Sequence, residues 1–303
     1  MKKTLFVLLS AVVITVSNAQ NPSGNCGKDG GSNLRWELNL STGEMVIQGS
    51  GEMDQFSGGS VPWKKYSDDI KSVTFPKGMN NIGNYAFSGC DNLTTISFPS
   101  SVKEIGYYSF SDCGLTSVTI PSTVTFVDLN AFQSCHSLKT VVIQSTMPEN
   151  SNKIAGYTFY YCDALESVTI AEGIKILGEQ AFGSCTALKE ITLPSTMYIM
   201  DEAFSGCSGL ESITCKAGTP PICHNSVFKN VTKSIPVYVP NASLDAYKSD
   251  PWEGFTNILP ITATTINQTT DGQQTTTDKI LHNGQLYILR DGKTFNALGA
   301  TVK

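Results

Sequence analysis

The chain has 303 residues, 40% apolar and 16% charged, with 21 Lys and Arg against 26 Asp and Glu for a net charge of −5. That balance excludes wholesale disorder and describes one extended domain or two compact ones. The weak acidity carries no basic patch of the kind that a phosphate backbone requires, so no nucleic-acid partner is expected.

Met1-Lys2-Lys3, the apolar run from Leu5 to Val16 and the small residues Ser17 to Ala19 form the three regions of a signal peptide, with cleavage expected after Ala19. An apolar run of about a dozen residues is too short for a bilayer of roughly 30 Å. No later segment is apolar enough, so the mature chain is expected to be exported with no transmembrane segment. Residues 20–70 read as an N-terminal cap, in which Trp36, Leu38, Leu40, Met45 and Ile47 alternate as strand residues closing an open core.

From 71 to 230 the chain repeats itself. Phe87, Phe110, Phe132, Phe159, Phe182, Phe204 and Phe228 lie 23, 22, 27, 23, 22 and 24 residues apart. Cys90, Cys113, Cys135, Cys162, Cys185 and Cys207 each follow three positions later, and a leucine column follows them, with Leu115 one residue early through a deletion. Each unit then enters a short alternating segment, from Lys71–Phe75 through Glu211–Cys215, and Pro99, Pro121 and Pro194 end three of them. A unit of about 23 residues cannot bury its apolar face alone, whereas stacked units share one core, so the expected fold is a solenoid of parallel strands with a cap at each end. Seven such strands would make a sheet some 30 Å or more wide.

Residues 231–260 read as the C-terminal cap, with a strand at Val237–Val239 and a helical turn from Leu244 to Trp252. The Thr- and Gln-rich stretch 261–278 cannot build a core and reads as a linker. In 279–303, Gln285 to Leu289, Asp291-Gly292 and Lys293 to Leu298 read as a hairpin.

The unit Ile-Gly-x-x-Ala-Phe-x-x-Cys-x-x-Leu-x-x-Ile-x-Ile-Pro, nearly complete between Ile82 and Pro99, resembles the BspA-like branch of leucine-rich repeats. The flanks are similar too, at Cys26-Gly27, Leu34 to Trp36 and Pro62-Trp63 on one side and Pro236 to Pro240, Tyr247 and Trp252 on the other. The tail resembles, in shortened form, the C-terminal sorting signals that take proteins to the outer surface of Gram-negative anaerobes, an accessory hairpin or dimerisation strand being the alternative. The resemblance implies a leucine-rich-repeat solenoid at the cell surface or outside it, binding host or matrix proteins such as fibronectin or fibrinogen. The alternative is a surface assembly component with no host ligand.

The six-cysteine column is the most tempting chemistry, but zinc needs converging pairs, and one thiol per turn is linear. Buried thiols packing as small apolar groups and bonding loop carbonyls are the expectation, with no metal or cofactor. Cys215 and Cys223 flank Pro220-Pro221 outside that pattern and are left either as thiols or as a local disulfide, with Cys26 unpaired. His136, His224 and His282 are scattered, and the adjacent Cys135-His136 pair belongs to a structural column, so no enzyme is expected. If the strands bury Val73, Ile96 and their equivalents, then Thr74, Ser97, Thr119, Val142, Thr169, Thr192 and Thr214 face outward as a hydroxyl ladder. Such a ladder suits a strand surface regardless of ligand. The 27-residue spacing puts about four extra residues into Ser145 to Gly156, and insertions in solenoids often carry binding. Asn150 and Lys153 within it, with Tyr160 and Tyr161 beside it, are the preferred contact region for an extracellular protein ligand.

Overall fold

The computed structural model describes residues 21–144, 153–195, 197–223, 226–248, 252 and 254–261, and, as backbone alone, the tail strands within 278–302. The signal peptide, Asn150 with the rest of 145–152, His224 and the linker at 262–277 lie outside the described residues.

The chain coils through about seven turns, each a front strand, a short return strand and an arc that carries the phenylalanine. Ser117–Ile120, Thr140–Ile143, Ser167–Ile170, Glu190–Leu193, Ser212–Cys215, Pro236–Val239 and Asn257–Pro260 form one seven-stranded sheet, every pair parallel. Val118, Val141, Val168, Ile191 and Ile213 point inward from its strands, as period-two alternation requires. The sheet is displaced along the chain from the expected one. Ser72–Thr74 pairs instead with Glu44–Gly51 of the antiparallel N-terminal cap, Thr95 makes a single bridge to Ser72, and two strands of the C-terminal segment extend the front. Side-chain size explains the lapse. Phe75 and Phe98 occupy the inward column that Ile120, Ile143 and Ile170 fill later, and their stacked rings stand 6.3 Å apart, wider than the roughly 4.8 Å of a strand ladder. Ile96 and Phe98 stay half-buried as a result.

The core is a column of rings. Phe87, Phe110, Phe132, Phe159, Phe182, Phe204 and Phe228 are buried, and successive rings lie 5.2–5.8 Å apart and within 11° of parallel. Trp63 closes the first end, stacked 5.6 Å from Phe87 with its indole N–H on the Ala86 carbonyl at 2.7 Å. Trp252 closes the other, 5.1 Å from Phe228. The cap tryptophans thus hide the two faces that a stack of turns would leave open.

Beside each ring runs the cysteine. Cys113, Cys135, Cys162, Cys185 and Cys207 each donate a thiol hydrogen bond, at 3.1–3.3 Å, to the carbonyl of the phenylalanine one turn earlier. Burial pushes the thiols of Cys113, Cys162 and Cys185 well above their ordinary pKa, so they stay protonated and keep donating, and it pushes that of Cys90, at the start of the column, to about 12.

The arcs are hydrogen-bonded to each other as well. The N–H groups of Phe87, Phe110, Phe132, Phe159, Phe182 and Phe204 reach carbonyls of the following turn at 2.7–3.0 Å. Residues two before and two after the rings from Phe110 to Phe182 do the same, and they sit at positive φ, among them Tyr108 (51°), Asn130 (61°) and Tyr157 (59°) before, Asp112 (56°), Ser134 (56°) and Ser184 (60°) after. A left-handed residue costs about 1 kcal/mol or more for a side chain with a Cβ, and Gly89 and Gly206 avoid it at two of the positions after the ring. The cost is offset because the reversal aims the N–H at the next turn.

Asp278–His282, Gln285–Arg290, Lys293–Asn296 and Thr301–Val302 form a four-stranded antiparallel sheet. The tail is therefore more than the expected hairpin, because strands before and after it add their backbone bonds. The register Arg290↔Lys293 keeps the two-residue connection at Asp291-Gly292. Among the described residues, no helix is long and apolar enough to cross a membrane.

Two outcomes test this core. Phe159→Ala should cost about 3–5 kcal/mol in denaturant unfolding, as for a buried ring with no room to collapse; a loss under about 1 kcal/mol would mean the ring column is not what holds the turns. In the native protein at mildly alkaline pH, Ellman's reagent should react with at most the half-buried Cys223, and with all nine cysteines after unfolding in guanidinium; rapid native reaction of several thiols would contradict the buried ladder.

Candidate binding surfaces

With its apolar groups and most of its thiols turned inward, the solenoid presents three surfaces: the front sheet, the arcs and the return strands. On the front, Thr74, Ser97, Thr119, Thr169 and Thr192 are exposed, and Val142 and Thr214 are half-buried. The parallel register aligns Thr119 with Val142 and Thr169, and Thr192 with Thr214. The row then runs on to Tyr238, half-buried beside Thr214. That aromatic end was not anticipated, although the strand Pro236 to Val239 has the same alternation as the repeats. Surface ion pairs between neighbouring turns border this face, Lys139 with Glu166 at 3.7 Å and Lys189 with Glu211 at 2.9 Å; exposed pairs of this kind contribute little stability.

The insert region and the tyrosines do not join that ladder. Lys153 is exposed on a return strand, on the opposite side of the coil from the front sheet, while Tyr160 and Tyr161 belong to the following arc. Tyr160 lies over the backbone of Gly183 in the next turn, where an added Cβ would come within 3.0 Å of its ring, and Tyr161 is 47% exposed. Their rings meet edge to face at 4.7 Å. A second cluster, Tyr85, Tyr107 and Tyr108, stands two turns earlier.

Two cavities accompany irregularities of the repeat. Where the second unit lacks a residue, Gly114 leaves a polar notch of about 310 Å³ bounded by Asp91, Asp112, Ser134, His136 and Ser137. A Cβ at Gly114 would fall 2.0 Å from the Asp91 carbonyl, so only glycine lets the shortened turn pass. Among the described residues no three His, Cys, Asp or Glu side chains are placed to hold a metal ion. The other cavity, about 300 Å³, opens on the return strands beside the 27-residue unit and is lined by Phe126, Leu129, Tyr157, Ile176 and Met200. The Tyr157 hydroxyl donates to Glu179 Oε1 at 2.6 Å at its edge, which pushes the phenol up to about 12.

The cysteine and histidine pairs take structural places. Cys135 points inward to the Phe110 carbonyl, whereas His136 is exposed with Nδ1 2.9 Å from Asp163. The optional Cys215–Cys223 disulfide is not formed. Cys215 ends the front strand Ser212–Cys215 and accepts the Tyr247 hydroxyl at 3.0 Å, while Cys223 lies on the return strand Ile222–Cys223, so the register assigns them to different rows.

The family model of the BspA type leucine rich repeat region, in six copies, matches residues 65–154 and 152–271. A leucine-rich repeat protein from Bacteroides ovatus of known structure is 25% identical to this chain with a TM-score of 0.51, covering 70% of this chain and 58% of that one. The chain therefore spans little more than half the length of that relative. A leucine rich cell surface protein from Faecalibacterium prausnitzii is 17% identical over 77% of this chain and 94% of that one at a TM-score of 0.34. The pneumococcal vaccine antigen PcpA is 15% identical over 79% and 99% at 0.27. Neither superposes closely enough to carry an argument. No curated protein matches the chain. A family model covering well over half of the sequence, on a coil whose parallel turns keep the phenylalanine and cysteine columns in register, establishes that the chain belongs to the BspA-type leucine-rich repeat family.

Proposed function

We propose that this protein is an exported, non-catalytic binding protein of the outer cell surface or extracellular space, and that its ligand is an extracellular protein of the host or matrix. The observation that carries this is the division of chemistry in each turn. The column thiols are buried and bonded to a carbonyl, while the outward face is a rigid, in-register row of hydroxyls bordered by compensated charges. A surface of that kind suits recognition over an extended area rather than bond-making. The signal-peptide-like N-terminus supports a site of action outside the cell, and the tail fits a role in export.

The test is solid-phase binding of the purified chain to immobilised fibronectin and fibrinogen. Saturable binding is expected, weakened at least about tenfold, which is about 1.4 kcal/mol, by the paired substitutions Thr169→Lys and Thr192→Lys on the exposed front or by Lys153→Glu with Tyr161→Ala. Both pairs leave the core untouched. An absence of saturable binding would remove the adhesin reading.

One observation favours a second reading, a role in surface assembly. Among the described residues the tail sheet ends in two edge strands, Asp278–His282 and Thr301–Val302, each paired on one side, and such edges pair readily with another chain. In that case the chain self-associates in sedimentation experiments, and truncation after Ile261 returns it to a monomer. Self-association that survives truncation would exclude the tail as its cause.

A further inference from the structure

The return strands, like the front row, do not run on unbroken from turn to turn. Asn81–Ile82, Glu104–Ile105 and Phe126–Val127 form one ladder, and Lys153–Ile154, Ile176–Leu177, Tyr198–Ile199 and Ile222–Cys223 form another. At each intact step an N–H of one turn reaches a carbonyl of the turn before: Gly106 to Ile82 at 3.0 Å, Asp128 to Ile105, Gly178 to Ile154 and Met200 to Leu177, each at 2.9 Å. The equivalent bond, from the Ala155 N–H to the Val127 carbonyl, is not made among the described residues. The arcs stay joined across the same step, Asn130 to Gly156 at 3.3 Å and Phe132 to Thr158 at 2.9 Å. The break is therefore confined to the return side, at the unit with the long spacing.

The cavity of about 300 Å³ sits at this break. Leu129 and Met200 in its wall are 44% and 39% exposed. An apolar concavity edged by exposed leucine and methionine is a surface shaped for an occupant. Its size, at the lower end of ligand pockets, suits one or two large apolar side chains. The rim decides their company. Asp128, Glu179 and Lys153 all line the cavity, two carboxylates to one ammonium, and the Tyr157 hydroxyl donates to Glu179.

We propose that the cavity beside this break is a peptide-docking site, which takes an apolar side chain from a segment of a partner protein whose neighbouring residues are basic. The inference rests on the binding reading above and assigns part of that binding to the return side of the coil. Leu129 and Met200 receive the side chain, and Asp128 and Glu179 attract the flanking cations.

The experiment is fluorescence anisotropy of the full chain with a labelled, N-acetylated peptide of alternating leucine and lysine, against the same peptide with glutamate in place of lysine. Saturable binding of the lysine peptide is expected, with the glutamate peptide at least about tenfold weaker. Leu129→Asp should weaken the lysine peptide at least about tenfold, Met200→Gln less, and Glu179→Gln should flatten its salt dependence, with unfolding midpoints unchanged because Leu129 and Met200 lie outside the core. No saturable binding, equal binding of both peptides, or indifference to Leu129→Asp would overturn the proposal. A concentration-dependent dimer abolished by Leu129→Asp would assign the cavity to a second copy and overturn it too. Matrix binding that persists in Leu129→Asp while the lysine peptide fails to bind would sink this site and leave the broader reading standing.

Discussion

Everything in this protein depends on one contact repeated along the coil: a buried phenylalanine ring lying flat on the ring of the next turn, with that turn's cysteine bonded to the first ring's carbonyl. Neither half works alone. Ring stacking supplies apolar burial that no single turn of about 23 residues can achieve, and each ring's carbonyl still has acceptor capacity toward the interior, even at Phe87, Phe159 and Phe182, where the N–H of the cysteine three residues on takes one bond. The thiol uses that capacity with a side chain small enough to stay inside the column. Cysteine therefore recurs where catalysis or metal binding would be the first thought. It is the smallest residue that both fills the space and donates weakly, and burial holds it protonated.

The same contact explains the strained backbone. Two left-handed residues flank each ring from the first turn to the sixth, and in the first five turns each reversal sends an N–H to the following turn. Strain of about 1 kcal/mol per residue is tolerable only in a coil in which every turn has a neighbour. The caps follow from that, since Trp63 and Trp252 stand where the ring column would otherwise end against water.

The columns were legible in the sequence because each depends on a single residue type at fixed spacing: phenylalanine for the spine, cysteine for the carbonyl, and β-branched or long aliphatic residues for the inward face. The left-handed positions were harder to see. Gly89, Asp112, Ser134, Ser184, Gly206 and Asn230 share one place in the repeat, and their small or polar character was the available signal, obscured by Tyr161 in the same position. The lapse in the front sheet at Phe98 could not be read from alternation, because alternation records which way a side chain points and not how much room its ring needs. The strand at Val237 to Val239 was legible by itself, but its place in the front sheet, and the further strand Asn257 to Pro260, were hidden because both continue the sheet without the phenylalanine and cysteine signature. For the candidate surfaces, the outward direction of the hydroxyl ladder followed from strand geometry. The cavity did not, because it arises from a hydrogen bond that fails to form between two turns.

Hydrogen exchange tests the central claim most directly. If the turns are held by ring, thiol and arc together, the amides of Phe110, Phe132, Phe159 and Phe182, each bonded to the following turn, should exchange only in the openings that also release the front-strand amides of Val141, Val168 and Ile191, with the same free energy and denaturant dependence. Arc amides that exchange through a smaller opening while the front strands stay protected would show that the sheet holds the coil and that the phenylalanine-cysteine column is secondary to it.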